Sequence, residues 1–179
     1  MFRSSIILAG GISQRFGGNT PKQFMDLAGK KVFAYSVEIF KNHPSIDEVI
    51  LVLPEKYLQT GSELFPEITN VKGGNTRRDS ALIGLNSCSK RCDHVLIHDA
   101  ARPFVSQKII DDCLNSLSKY EAVTPVIPIR DTPVKLKGDI IMEMPENENN
   151  LCESILINAN FRKMSYDKTN SRNVIWVKT

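Results

Sequence analysis

The sequence predicts an α/β protein built on a doubly wound, mostly parallel sheet. Three observations carry that expectation. Apolar runs at residues 4–9 and 48–54, and the run leading into Asp99, are nearly continuous, as in strands buried on both faces. Amphipathic stretches separate those runs, which is the alternation of an α/β layout. Three turns bearing glycine or aspartate follow strands, and open α/β sheets bind ligands outside the carboxyl ends of their strands. At 179 residues the chain fits one domain, 1–179, with enough length for a sizeable core.

Composition narrows the class. The net charge of +3 is too small to argue for a nucleic-acid surface, and no run of five basic residues occurs. No apolar run approaches the ~20 residues that span a bilayer. Met1-Phe2-Arg3 before Ile6-Ile7-Leu8 is too short for a signal segment and reads as a strand. A cytoplasmic or organelle-matrix location is expected. Cys88, Cys92, Cys113 and Cys152 form no Cys-x-x-Cys pair and no zinc spacing, so they read as buried or incidental thiols.

The opening strand, roughly Ser4 to Ala9, runs into Gly10-Gly11-Ile12-Ser13-Gln14-Arg15-Phe16-Gly17-Gly18, then Pro21-Lys22-Gln23-Phe24. Glycines let a backbone approach an anion, and successive N–H groups form an anion-binding nest. Arg15 and Lys22 add full charges suited to phosphate oxygens. The stretch is a candidate polyphosphate cradle, with an ordinary turn as the alternative. It lacks both the Gly-Lys-Ser/Thr of ATPase loops and the Gly-x-Gly-x-x-Gly of dinucleotide sites.

Residues 24–29 read as a short connector. Val32, Phe33, Val37, Ile39 and Phe40 suit a helix ending near Asn42-His43-Pro44. A strand at 48–54 and a polar helix or loop at 55–64 follow. Gly73-Gly74-Asn75-Thr76 then leads into a helix with Ala81, Leu82, Leu85 and Cys88 on one face. That turn reads either as a helix cap at Asn75 or Thr76, or as a backbone ligand site. The next strand delivers Asp99 at its carboxyl end, where an aspartate either caps or holds Mg²⁺. His98 is expected to orient the Asp99 turn. Ser106 caps a helix with Ile109, Ile110, Cys113, Leu114 and Leu117 on one face. Ala122 to Ile129 suits an edge strand, given Pro125 and Pro128. A hairpin arm at about 131–144 turns near Gly138. The tail, 145–179, is polar apart from Leu151–Ile157 and a last short strand at Val174–Val177.

Taken together, Leu8–Gly11 with Arg15-Phe16-Gly17, Pro21–Phe24, Gly73–Arg77 with Asp79-Ser80, His98–Pro103 and Arg130-Asp131-Thr132 resemble the 2-C-methyl-D-erythritol 4-phosphate cytidylyltransferases. The likeness covers roughly the first three-quarters of the chain. It implies a Rossmann-like nucleotidyltransferase sheet with a protruding hairpin arm. It implies transfer of CMP from CTP to a small phosphorylated polyol, with pyrophosphate released, in isoprenoid precursor synthesis by the non-mevalonate route. By that resemblance Leu8, Ala9, Gly10, Gly11, Gly74, Asn75, Ser80 and Ala100 hold the nucleotide. Arg15 and Lys22 grip the triphosphate, Asp99 sits at the Mg²⁺, and Arg102 and Thr132 contact the substrate phosphate. It also implies a homodimer formed through the arm. Beyond Met144 the family pattern ends: no Thr-Pro-Gln segment occurs, and the tail is expected to be divergent or truncated. Ribitol 5-phosphate cytidylyl transfer and a catalytically impaired nucleotide-binding remnant are the competing expectations.

Overall fold

The computed structural model describes residues 1–10, 20–126, 135–137, 140–143 and 173–177. Two compact units divide the chain, Met1–Thr124 with Ser171–Thr179, and Pro125–Asn170. In the second, β8 (Lys135–Lys137) pairs antiparallel with β9 (Ile140–Glu143), the two strands expected around Gly138.

The first unit is a six-stranded sheet in the order β5-β4-β1-β6-β10-β7. Its strands are β1 (Phe2–Leu8), β4 (Glu48–Leu53), β5 (Thr69–Lys72), β6 (Cys92–Asp99), β7 (Ala122–Val123) and β10 (Asn173–Val177). Every pairing between them is parallel. The chain steps outward from β1 to β4 to β5, then returns to the other side of β1 as β6. That reversal sets a topological switch point between β1 and β6, where Leu8 stands opposite Asp99.

Alternation along the strands sorts side chains to two faces. Ile7, Val49, Leu51, Leu53 and Leu96 join one core with Phe33, Val37 and Phe40 of α1 (Val32–Lys41) and Ile110, Cys113 and Leu117 at α4 (Gln107–Ser116). On the other face α3 (Arg77–Ser87) lies on β1 and β4. The helix comes close because Gly84 has no side chain: a Cβ there would stand 2.5 Å from Ile6 Cγ2 and 3.3 Å from Val52 Cγ2. This differs from the expected apolar face of α3. Ala81, Gly84 and Cys88 are buried, whereas Leu82 is exposed, because close approach favours small residues.

Both predicted caps form. Thr76 Oγ1 accepts from Asp79 N at 3.1 Å while Asp79 Oδ2 accepts from Thr76 N at 3.1 Å, a reciprocal capping box. Ser106 Oγ accepts from Ile109 N at 3.3 Å. Residues 24–31 are more ordered than a connector. β2 (Asp26–Leu27) pairs with β3 (Lys30–Lys31), and the two linking residues, Ala28 and Gly29, have φ of 49° and 81°. Positive φ at both positions is the hairpin turn whose twist matches its strands. A short helix α2 (Leu58–Leu64) leads to β5. Pro125 lacks an N–H for a ladder, and β7 is accordingly two residues long at the sheet edge. Cys88, Cys92 and Cys113 are buried thiols, and no disulfide forms among the described residues. No described helix is long and apolar enough to cross a membrane.

Candidate functional site

All strands of the sheet point the same way, so the chain leaves β1, β4, β5 and β6 at one edge. Backbone hydrogen bonds knit that edge together. Ala9 N donates to Val52 O at 2.8 Å, Ala100 N to Leu8 O at 2.9 Å, and Gly73 N to Leu53 O at 2.8 Å. The first residues past β1, β5 and β6 are thereby fixed to neighbouring strand ends.

Ser80 is the seam between the first two turns. It is buried on the first turns of α3, and its Oγ accepts from Gly74 N at 3.2 Å. Space around it is short, most of all beside Gly73. A Cβ on Gly10 would stand 3.2 Å from Ser80 Oγ, and one on Gly73 would stand 2.9 Å from it. A Cβ on Gly74 would lie 2.4 Å from Asp79 Cβ. The backbones of Gly10, Gly73 and Gly74 therefore crowd one hydroxyl, and Asn75 stands exposed beside them.

Asp99 joins the second turn to the third. Its Oδ1 accepts from Arg77 Nε at 3.1 Å and Nη2 at 2.8 Å. Its Oδ2 lies 3.5 Å from Arg102 Nε. Two guanidiniums against one carboxylate leave surplus positive charge at the strand edge, in a setting that suits polyphosphate. The third turn is braced from beneath. Arg102 N donates to Asp99 O at 3.0 Å, and His98 Nε2 lies 3.0 Å from Arg102 O. A carbonyl only accepts, so His98 carries its proton on Nε2. Ser36 Oγ also donates to Arg102 O at 3.3 Å. His98 thus orients the Asp99 turn, as its position suggested.

Lys22 is exposed on a single 3₁₀ turn, Lys22–Phe24, between buried Pro21 and buried Gln23 and Phe24. Phe24 stacks on Tyr57 with ring centroids 3.5 Å apart. Gln23 Nε2 donates to Ala9 O at 2.6 Å, which ties this turn to the end of β1.

Of the residues picked from sequence, Leu8, Ala9, Gly10, Gly74, Asn75, Ser80, Asp99, Ala100 and Arg102 lie along this edge, and Lys22 is tied to it through Gln23. Gly11, Arg15 and Thr132 lie outside the described residues. Sequence reasoning gave no role to Arg77, Gln23 or Ser36. Arg77 and Gln23 stand within stretches that carry the family likeness, Arg77 also as a cation on the first helical residue after a glycine turn, whereas Ser36 left no signal.

A divalent cation fits Asp99 as one protein ligand. Mg²⁺ commonly takes one or two carboxylates, with substrate phosphates and water completing the shell. No described cluster of three His, Cys, Asp or Glu side chains offers a self-sufficient metal site. Both Asp99 oxygens face guanidiniums, so a cation there requires one of them to withdraw.

Comparison with known proteins gives a consistent picture. The family model for 2-C-methyl-D-erythritol 4-phosphate cytidylyltransferase matches residues 4–155. The enzyme of that name from Caldicellulosiruptor bescii is 35% identical over 152 residues, covering 83% of this chain and 67% of the relative. That from Clostridium perfringens strain SM101 is 40% identical over 140 residues, covering 75% and 61%. The chain thus spans about two thirds of the length of these relatives. Among solved structures, 4-diphosphocytidyl-2C-methyl-D-erythritol synthase from Anaerococcus prevotii shares the fold, with a TM-score of 0.75 at 23% identity over 99% of this chain and 86% of that one. The Thermus thermophilus cytidylyltransferase gives a TM-score of 0.63 at 25% identity, covering 99% and 89%.

Proposed function

Because the chain belongs to the 2-C-methyl-D-erythritol 4-phosphate cytidylyltransferase family, a family of CTP-dependent nucleotidyltransferases, we propose that it transfers CMP from CTP to 2-C-methyl-D-erythritol 4-phosphate in isoprenoid precursor synthesis. The observation that supports this most is the convergence of three turns on one carboxyl edge, seamed by Ser80 and bridged by Arg77 and Asp99.

In this reading a phosphate oxygen of the acceptor attacks the α-phosphorus of CTP in line. A new P–O bond forms, the bond from that phosphorus to the bridging oxygen breaks, and pyrophosphate leaves with the electron pair. A phosphate monoester is already largely dianionic at neutral pH, so no strong general base is needed. The obstacle is repulsion between anions, and positioning with cationic stabilisation is what lowers it. Leu8, Ala9, Gly10, Gly74, Asn75, Ser80 and Ala100 line the nucleoside side of the site, the role that the family resemblance gives them. Lys22 carries charge to the triphosphate, and Arg102 to the acceptor phosphate. Arg15 and Thr132 hold the roles that the family resemblance gives them. Asp99 would hold Mg²⁺, which would supply charge neutralisation to the triphosphate. A homodimer through the arm, with Thr132 reaching the partner's site, and a cytoplasmic location complete the reading. Buried thiols at Cys88, Cys92 and Cys113, in no disulfide among the described residues, suit a reducing compartment.

Pyrophosphate release tests the proposal. CTP is supplied with 2-C-methyl-D-erythritol 4-phosphate, with ribitol 5-phosphate, and alone. Release that depends on the methylerythritol phosphate is expected, with ribitol 5-phosphate at least tenfold slower. Equal or faster release with ribitol 5-phosphate overturns the acceptor, and CTP binding without any release favours a non-catalytic remnant.

A further inference from the structure

We infer that Gln23 is a positioning residue for cytidyl transfer: its amide locks the Lys22 turn to the end of β1 and so sets where the Lys22 ammonium stands. The inference rests on the transfer reaction proposed above. Gln23 is almost fully buried, at 3% exposure, and it follows Lys22 directly. Its Nε2 donates to Ala9 O at 2.6 Å across fourteen residues of sequence. Ala9 is the last residue before Gly10, which packs against Ser80. The carbonyl can only accept, so the nitrogen of the Gln23 amide must face it, and neither a carboxylate nor an aliphatic side chain can take its place.

The apolar side of the same turn is fixed separately. Phe24 stacks on Tyr57 and lies 5.5 Å, centroid to centroid, from Phe33. Phe24 therefore holds the turn to the core, whereas Gln23 holds it to the phosphate edge. A lysine is a point charge on a flexible stem, so its placement depends on where its backbone is anchored. A shift of about 1 Å in a group that stabilises the transition state can cost about 10²-fold in rate.

The test compares Gln23→Leu and Gln23→Glu with the wild-type protein. Readouts are kcat and KM for CTP over pH 5.5–8.5, the unfolding midpoint, and amide exchange at Phe24 and Met25, whose N–H groups close the turn onto Pro21 O and Lys22 O. At pH 8 kcat is expected to fall by about ten- to a hundredfold in both variants, with KM for CTP within about threefold. Gln23→Glu regains activity relative to wild type as pH falls, because a protonated carboxyl can donate to Ala9 O and burial favours that form. Gln23→Leu shows no such recovery. Exchange at Phe24 and Met25 quickens by about tenfold or more in Gln23→Leu. A kcat within twofold of wild type, or parallel pH profiles for wild type and Gln23→Glu, overturns the inference. If wild type itself releases no pyrophosphate, the transfer reading fails instead. The tether is then judged on amide exchange alone, and unchanged exchange overturns it.

Discussion

Gly74→Ala tests the architecture of the site where it is tightest. A Cβ at residue 74 would stand 2.4 Å from Asp79 Cβ, 3.3 Å from Asp79 C and 3.4 Å from Asp79 Cα. Carbon atoms rest at about 3.5–4.0 Å, so the closest contact is short by about 1 Å. No rotamer relieves it, because both Cβ atoms are fixed to backbone. The turn must therefore move away from the start of α3. Two features stand in the way of that movement. Gly74 N donates to Ser80 Oγ at 3.2 Å, and Thr76 and Asp79 exchange two cap bonds at 3.1 Å each. Loss of a cap costs about 1 kcal/mol, and overpacking strain adds about 1–3 kcal/mol. The expected destabilisation is about 2–4 kcal/mol. With a urea slope of about 2 kcal/mol per molar, the unfolding midpoint drops by about 1–2 M. Gly10→Ala is the internal control. Its Cβ would meet Ser80 Oγ at 3.2 Å and Ser80 Cβ at 3.9 Å, a contact that a shift of a few tenths of an ångström relieves with the Gly74 N–Ser80 Oγ bond kept, so its cost stays below about 1 kcal/mol. A Gly74→Ala midpoint indistinguishable from wild type, or a Gly10→Ala cost above that of Gly74→Ala, refutes the crowding argument.

Three further outcomes follow from other parts of the molecule. Lys22→Ala is expected to lower kcat by about 10²–10³, the usual loss for one well-placed charge donor, and steady-state rates within a few-fold of wild type would exclude Lys22 from the reaction. Ala28 has φ of 49° in the β2–β3 turn, where a left-handed alanine costs about 1–2 kcal/mol, so Ala28→Asn should raise stability by about 0.5–1 kcal/mol in urea unfolding; a lower midpoint would contradict the turn assignment. Burial, and then the Arg3 charge, hold the His94 pKa below its ordinary 6.5. The unfolded chain binds that proton first, so stability is fully present above pH 6.5 and declines as pH falls through 6.5 toward the folded value. His94→Gln should flatten the change in urea midpoint between pH 7.5 and 5.5, and an unchanged slope would assign that loss to other groups.

Much of the fold could be read locally. The runs at β1, β4 and β6 are apolar on both faces and carry no proline, which is how central parallel strands look. Ser106 and Thr76 announced their helices through short polar side chains ahead of apolar spacing. What escaped was non-local. The tail strand at Val174–Val177 was legible as a strand, but not its place between β6 and β7, because parallel register depends on partners far away in sequence. The β2–β3 hairpin escaped because Ala28 stands where asparagine or glycine would have signalled the turn. At the site, the three turns were visible one by one through glycine and aspartate. The bonds that join them were not: Arg77 reaches Asp99 across 22 residues, and Gln23 reaches Ala9 across 14. Leu82 looked like core by spacing alone, yet Gly84 draws α3 so close to β1 that only small residues fit beneath it.

The central claim is that one carboxyl edge of the sheet binds CTP. Titration of isotopically labelled protein with CTP and Mg²⁺, followed by amide chemical shifts, tests it most directly. The largest shifts are expected at Ala9, Gly10, Gly73 to Ser80 and Asp99 to Arg102. Shifts gathered instead at the opposite strand ends, near Ser4, Glu48, Thr69 and Asp93, would contradict it.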